Sequence, residues 1–256
     1  MIGVILYAEK EGFVKKEEQP EKKEIVRSVQ TEIPDELKYF KASDSRDDSD
    51  ILKELFYEVT DYTPPNKELQ VYMAGQTRIE DNKAVMTAEY FEDHLYSGKL
   101  ESKIAFRYGT FAFKVHTMRG KGLFPAIWMM PSEGELFPEL DLYELIGNEP
   151  DLFYGVLHYY NNDMKKRNFF QHRFQEGNIP DEYEVKLEWT PDKLIWYLNG
   201  EEVHRMTEYV PQVPMYMSMN LAVGGIWPGD PDEDTIFPAS FETEILEFHV
   251  EEVYVR

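Results

Sequence analysis

The 256 residues include 49 acidic and 27 basic side chains, a formal net charge of -22, with 42% hydrophobic and 14% aromatic content and no cysteine. Such a surface repels nucleic acid and anionic membranes and suits a neutral polymer better than an anionic one. Disulfides and thiol chemistry are excluded, and no apolar run approaches the roughly 20 residues that span a bilayer.

The chain opens with Met1-Ile2-Gly3-Val4-Ile5-Leu6-Tyr7-Ala8, an apolar patch too short for a signal h-region and without a basic stretch before it, so no export signal is visible. From Glu9 to Glu24, eleven of sixteen residues are charged. Residues 1–37 therefore read as a charged, flexible arm and 38–256 as one domain. Folded structure is expected from about Leu37, with a surface loop over the acidic residues 43–50.

Short strands separated by turn signals follow. Leu69 to Met73 and Ala84 to Tyr90 flank a turn at Glu80-Asp81-Asn82-Lys83. Ile104, Phe106 and Tyr108 alternate on even positions and Phe111, Phe113 and Val115 on odd ones, so Gly109-Thr110 marks a turn or bulge where the register changes. Strands are also expected over Phe153 to Tyr160, with a polar loop at Asn161 to Arg167, and over Glu184 to Trp189, Leu194 to Leu198, Met215 to Leu221 and Val250 to Val255. Asn199-Gly200 is the strongest hairpin signal, and Trp189 and Trp196 alternate beside it as core residues. No amphipathic helix of three turns and no 20 to 50 residue repeat is evident. The pattern describes an all-β sandwich or jelly roll.

One segment has the composition for chemistry: Glu139-Leu140-Asp141-Leu142-Tyr143-Glu144. In an extended chain Glu139 and Asp141 share one face. Glu144 lies at an odd spacing from Glu139, and a regular strand turns it toward the leucines, where an unpaired carboxylate is costly. Either the strand ends first or a β-bulge swings Glu144 back, which leaves three carboxyl groups on one wall. Such a wall suits glycosidic bonds, with one carboxylate attacking the anomeric carbon and a protonated partner serving the leaving oxygen. The same alternation also describes a half-solvated strand, and the hexapeptide alone leaves both readings open.

The flanking motifs decide between them. Asn66-Lys67-Glu68-Leu69-Gln70-Val71-Tyr72, Ser97-Gly98-Lys99-Leu100-Glu101-Ser102-Lys103, Tyr108-Gly109-Thr110-Phe111 and Gly122 to Pro131 (GLFPAIWMMP) precede the acidic segment. Glu188 to Lys193 (EWTPDK) with Trp196 to Gly200 (WYLNG), and Asn220 to Gly229 (NLAVGGIWPG), follow it. In this order and around an ExDxxE, the chain resembles glycoside hydrolase family 16, nearest its bacterial laminarinase-like, endo-β-1,3-glucanase branch.

The resemblance implies a concanavalin A-like β-jelly roll of two curved antiparallel sheets with an open substrate cleft. It implies a retaining double displacement in which Glu139 is the nucleophile, Glu144 the acid/base and Asp141 their support, on a bulged strand. Matched positions assign Asn66, Tyr72, Trp128, Phe137, His158, Asn220 and Trp227 to substrate binding. A metal role for His158 is not expected, because no second histidine stands at ligand spacing.

Departures matter too. Ala112 stands where the family usually has Glu, Lys114 where it has Arg, and Phe137, after a short loop over Ser132 to Pro138, where Trp is common. Glu251 replaces an Asp often associated with structural calcium, so the sequence lends little support to a calcium site, and no cofactor is expected to be required. The expected activity is endo-hydrolysis of β-1,3-glucan, extending to mixed β-1,3/1,4-glucan, by a monomer. Its polysaccharide substrate implies an extracellular setting. Two alternatives stay open: the same mechanism on a galactan such as agar, and a carbohydrate-binding sandwich without turnover.

Overall fold

A computed structural model describes residues 39–41, 53–80, 82–134, 136–175 and 177–256 of the chain. The expected arm (1–37) and the acidic loop (43–50) lie outside the described residues. Strands in chain order are β1 (Tyr39–Lys41), β2 (Phe56–Glu58), β3 (Val71–Tyr72), β4 (Thr77–Glu80), β5 (Lys83–Phe91), β6 (His94–Ser97), β7 (Lys99–Ser102), β8 (Ile104–His116) and β9 (Leu123–Pro131). They continue as β10 (Glu139–Leu145), β11 (Leu152–Asn161), β12 (Met164–Arg173), β13 (Glu182–Trp189), β14 (Leu194–Leu198), β15 (Glu201–Met206), β16 (Met215–Val223) and β17 (Ala239–Val255). Among the described residues, helix is confined to 53–55, and no helix is long and apolar enough to cross a membrane.

Antiparallel pairing builds two layers. One runs β2-β7-β16-β9-β10-β11-β12 and the other β4-β5-β17-β8-β13-β14-β15, with Met215 opposite Phe106 joining them. The alternating apolar residues of both layers face each other. Tyr143 of β10 lies 5.9 Å from Phe241 of β17 and 6.3 Å from Tyr183 of β13, ring centre to ring centre. This interior is the hydrophobic core of a β-sandwich, and the expected all-β jelly-roll class holds.

The register change foreseen at Gly109-Thr110 is a twist within one continuous strand. Tyr108 has φ 64° and Gly109 φ 151°, and the even-numbered Phe106 and odd-numbered Phe111 both reach the core with rings 5.1 Å apart. A Cβ on Gly109 would stand 2.1 Å from the His249 carbonyl oxygen, so only glycine fits. The Asn199-Gly200 turn has φ 49° and 82°, as its dipeptide requires, and Trp189 and Trp196 are buried.

One expected loop is shorter than foreseen. Asn162 and Asp163, at φ 52° and 62°, close a two-residue hairpin between Asn161 and Met164, so Lys165, Lys166 and Arg167 belong to β12. Two residues tolerant of positive φ suffice to reverse the chain, and the basic run after them is an exposed strand.

Candidate active site

Strand β10 is bulged between Asp141 and Glu144. Against β11, Glu139 faces His158 and Asp141 faces Val156, but Glu144 faces Tyr154, one residue out of step. Against β9, Asp141 faces Trp128 while Tyr143 faces Ile127. Leu142 has no partner in either register, so it is the extra residue. Side chains Leu140, Leu142, Tyr143 and Leu145 are all fully buried in the core, and Glu139, Asp141 and Glu144 lie together on the opposite face, Asp141 itself buried.

Crowding and burial set the charges of the three carboxyls. Burial pushes Glu144 up to about 8, with the Glu139 charge adding to it and Arg167 opposing. Asp141 is pushed well above the ordinary carboxylate range by burial and by its two acidic neighbours. Burial also raises Glu139, while the Lys165 ammonium pulls it back. His158 is driven down to about 4 by burial and the nearby Lys165 and Arg167, so it is neutral at neutral pH. Its Nε2 stands 3.6 Å from Asp141 Oδ2, and that oxygen has no hydrogen-bond partner. Burial and mutual repulsion thus favour the protonated form of Glu144 at neutral pH, as acid work requires.

Among the described residues, the one group of acidic and histidine side chains able to converge on an ion is Glu139, Asp141 and His158, whose donor atoms lie within 4.8 Å of one another. Two carboxylates and an imidazole do not fit calcium, which takes six to eight oxygens. Glu251 is exposed and joins no such group.

Around the carboxyls the open face carries Trp128 and Asn220. Indole Nε1 of Trp128 donates to Asn220 Oδ1 at 2.6 Å, and Asn220 Nδ2 donates to Tyr72 Oη at 3.0 Å. Tyr72, expected to contact sugar, is instead 2% exposed and stacks on Tyr62 at 6.2 Å. Its hydroxyl accepts from Asn220 and its ring is covered, so it supports that side chain and offers no face for stacking. Trp227 is 39% exposed, held edge-on by Phe124 and Tyr154 at 5.3 and 5.1 Å. Phe137 is half-buried between His158 and Tyr160, with the Lys165 ammonium 4.4 Å from its ring centre. Exposed Asn66, at φ 68°, braces the Trp227 loop through its carbonyl, which accepts from Ile226 N–H at 3.2 Å.

Several residues of this face escaped the sequence reading. Lys99 and Glu101 of β7, both buried, form a 2.8 Å ion pair, and Lys99 Nζ lies 4.9 Å from the Trp128 ring centre. Their spacing of two beside a glycine was the available signal. Lys165 and Arg167, expected in a loop, stand on β12 beside the carboxyls.

Residues 65–242 match the family described as Glycosyl hydrolases family 16. The chain belongs to that family. Similar proteins include the endo-1,3-1,4-beta-glycanase ExsH of Rhizobium meliloti, 29% identical over 49% of this chain, and a beta-glucanase of Rhodothermus marinus, 26% identical over 74%. The match spans 27% of the length of ExsH and 75% of the Rhodothermus protein. Among solved structures, the endo-beta-1,3-glucanase of Pyrococcus furiosus shares 26% identity at a TM-score of 0.67, covering 84% of this chain and 94% of that one.

Proposed function

We propose that this family 16 chain is an endo-acting glycoside hydrolase of β-1,3-glucan that works by retaining double displacement. The observation that carries the reading is the β10 bulge, which gathers Glu139, Asp141 and Glu144 on one face with Glu144 protonated at neutral pH. Glu139 attacks the anomeric carbon and forms a glycosyl ester as Glu144 gives its proton to the departing glycosidic oxygen. Glu144, now ionised, takes a proton from water, whose oxygen attacks the same carbon and frees Glu139. Asp141, between them, keeps charge off the wall while protonated.

The names of the relatives support β-1,3-glucan, with mixed β-1,3/1,4-glucan beside it. The short loop bearing Phe137 is where a galactan specificity would lie. A polymeric substrate is in keeping with a reaction outside the cell, and one chain supplies every carboxyl of the site, in keeping with a monomer. A reducing-sugar assay over laminarin, lichenan, agarose and carrageenan tests the substrate, with laminarin expected to be cleaved fastest. Glu139→Gln and Glu144→Gln should each abolish laminarin hydrolysis, and unchanged activity in either would overturn the assignment. Proton NMR should show the β-anomer as the first product, and an initial α-anomer would refute retention.

A further inference from the structure

The bulge has its own support inside the core. A residue left out of both registers leaves a carbonyl in need of a donor, since buried backbone oxygens are almost always paired. Here the Leu142 carbonyl oxygen accepts a hydrogen bond from the indole Nε1–H of Trp196, at 3.2 Å. Trp196 comes from β14 of the opposite layer and is 1% exposed. Gly155, the β11 residue between the partners of Asp141 and Glu144, has no side chain there. A Cβ on it would meet Phe170 Cε1 at 2.3 Å and Trp196 Nε1 at 2.7 Å, closing the space the indole occupies.

We propose that Trp196 is a positioning residue: its indole N–H, admitted by Gly155, holds the Leu142 bulge in the form that turns Glu144 onto the face of Glu139 and Asp141. The proposal rests on the assignment of Glu144 as acid/base. Without the bond, Leu142 is free to leave the bulge, and Glu144 loses its alignment and its burial. General acid catalysis then suffers first. The loss falls on natural linkages, whose alkoxide leaving group needs the proton, and spares aryl glycosides, whose phenolate leaves without it.

The test replaces the indole at 196 by the isosteric benzothiophene, through incorporation of benzothienylalanine, which deletes the donor and keeps the shape. Expected is a loss of about 10-fold to 100-fold in kcat/KM on laminarin, less than about threefold on 2,4-dinitrophenyl β-laminaribioside, and a basic limb moved to lower pH. Gly155→Ala, which crowds the indole, should give the same pattern.

Trp189→Phe is the control. It removes a comparable buried bond, from Trp189 Nε1 to the Pro211 carbonyl at 3.1 Å, neither partner of which belongs to β10. It should lower Tm and leave the pH profile unchanged. If the position 196 isostere only lowers Tm as Trp189→Phe does, with both substrates affected alike, Trp196 is merely structural and the proposal is overturned. Glu144→Gln separates the two readings. If it inactivates the enzyme while the isostere does not, the positioning role alone fails; if it leaves activity intact, the acid/base assignment fails.

Discussion

Trp128 and Asn220 sit diagonally on neighbouring strands β9 and β16, with the indole N–H of one bound to the amide oxygen of the other at 2.6 Å. Tyr72 holds the amide from the far side, so the plane of the indole is set by a chain of three side chains on three strands. Asn220→Ala should release Trp128 and leave its N–H unpaired, a loss on the order of 1–2 kcal/mol. In steady-state assays with laminarin that appears as a KM about tenfold higher with kcat little changed. Tyr72→Phe should move KM in the same direction by less.

The raised pKa of Glu144 sets a sign for stability. Its folded value, about 8, exceeds the ordinary carboxylate value, so folding retains a proton that the unfolded chain releases. Below the unfolded value both states are protonated and nothing is lost. As pH rises from there to about 8, stability falls, by on the order of a few kcal/mol. Glu144→Gln should remove that fall. Thermal melts across pH 4 to 9 should show the variant gaining on the wild type as pH rises and the gap levelling off above about 8.

Glu101 should behave in the opposite way. Burial pushes its carboxyl up, but Lys99 at 2.8 Å, Tyr57 at 2.7 Å and Arg256 at 2.7 Å together bring it below the usual range. Its folded value is depressed, so its contribution is present above the unfolded value and is lost as pH falls through the folded one. Glu101→Gln strands the buried Lys99 ammonium, and chemical denaturation at neutral pH should show a loss of about 3–5 kcal/mol.

Gly109→Ala should be among the most damaging single-methyl additions in the fold. At φ 151°, a Cβ lies 2.1 Å from the His249 oxygen, and β17 would have to part from β8 to admit it. Destabilisation of about 2–4 kcal/mol is expected, seen as a Tm lower by roughly 5–15 °C.

The parity of Glu144 was legible because period-2 patterning is local: an odd spacing among acids that belong together demands an extra residue. The Asn199-Gly200 hairpin and the register change at Gly109 were legible for the same reason, since positive-φ residues announce themselves. What holds these features is not local. Trp196 lies 54 residues from Leu142, and nothing in its hairpin distinguishes it from Trp189, which packs equally deep. Tyr72 showed the limit of motif transfer, since a matched position gives the strand but not which way the ring faces. The Lys99–Glu101–Arg256 chain joins positions 155 residues apart, and sequence spacing has no means to bring them together.

Strand β12 ends its layer, and among the described residues it pairs with β11 alone. A free strand edge is a template on which a second copy can add its own edge strand, and the exposed Phe169 and Met164 would reward such an encounter. Its cationic side chains are Lys165, Lys166, Arg167 and Arg173. Two copies meeting edge to edge would bring these rows of cations together in a molecule that is otherwise strongly acidic. The basic run that borders the carboxyls thus opposes edge-to-edge pairing of this sheet by like-charge repulsion. Concentrated salt, which screens that repulsion, is the condition under which light scattering should first detect self-association.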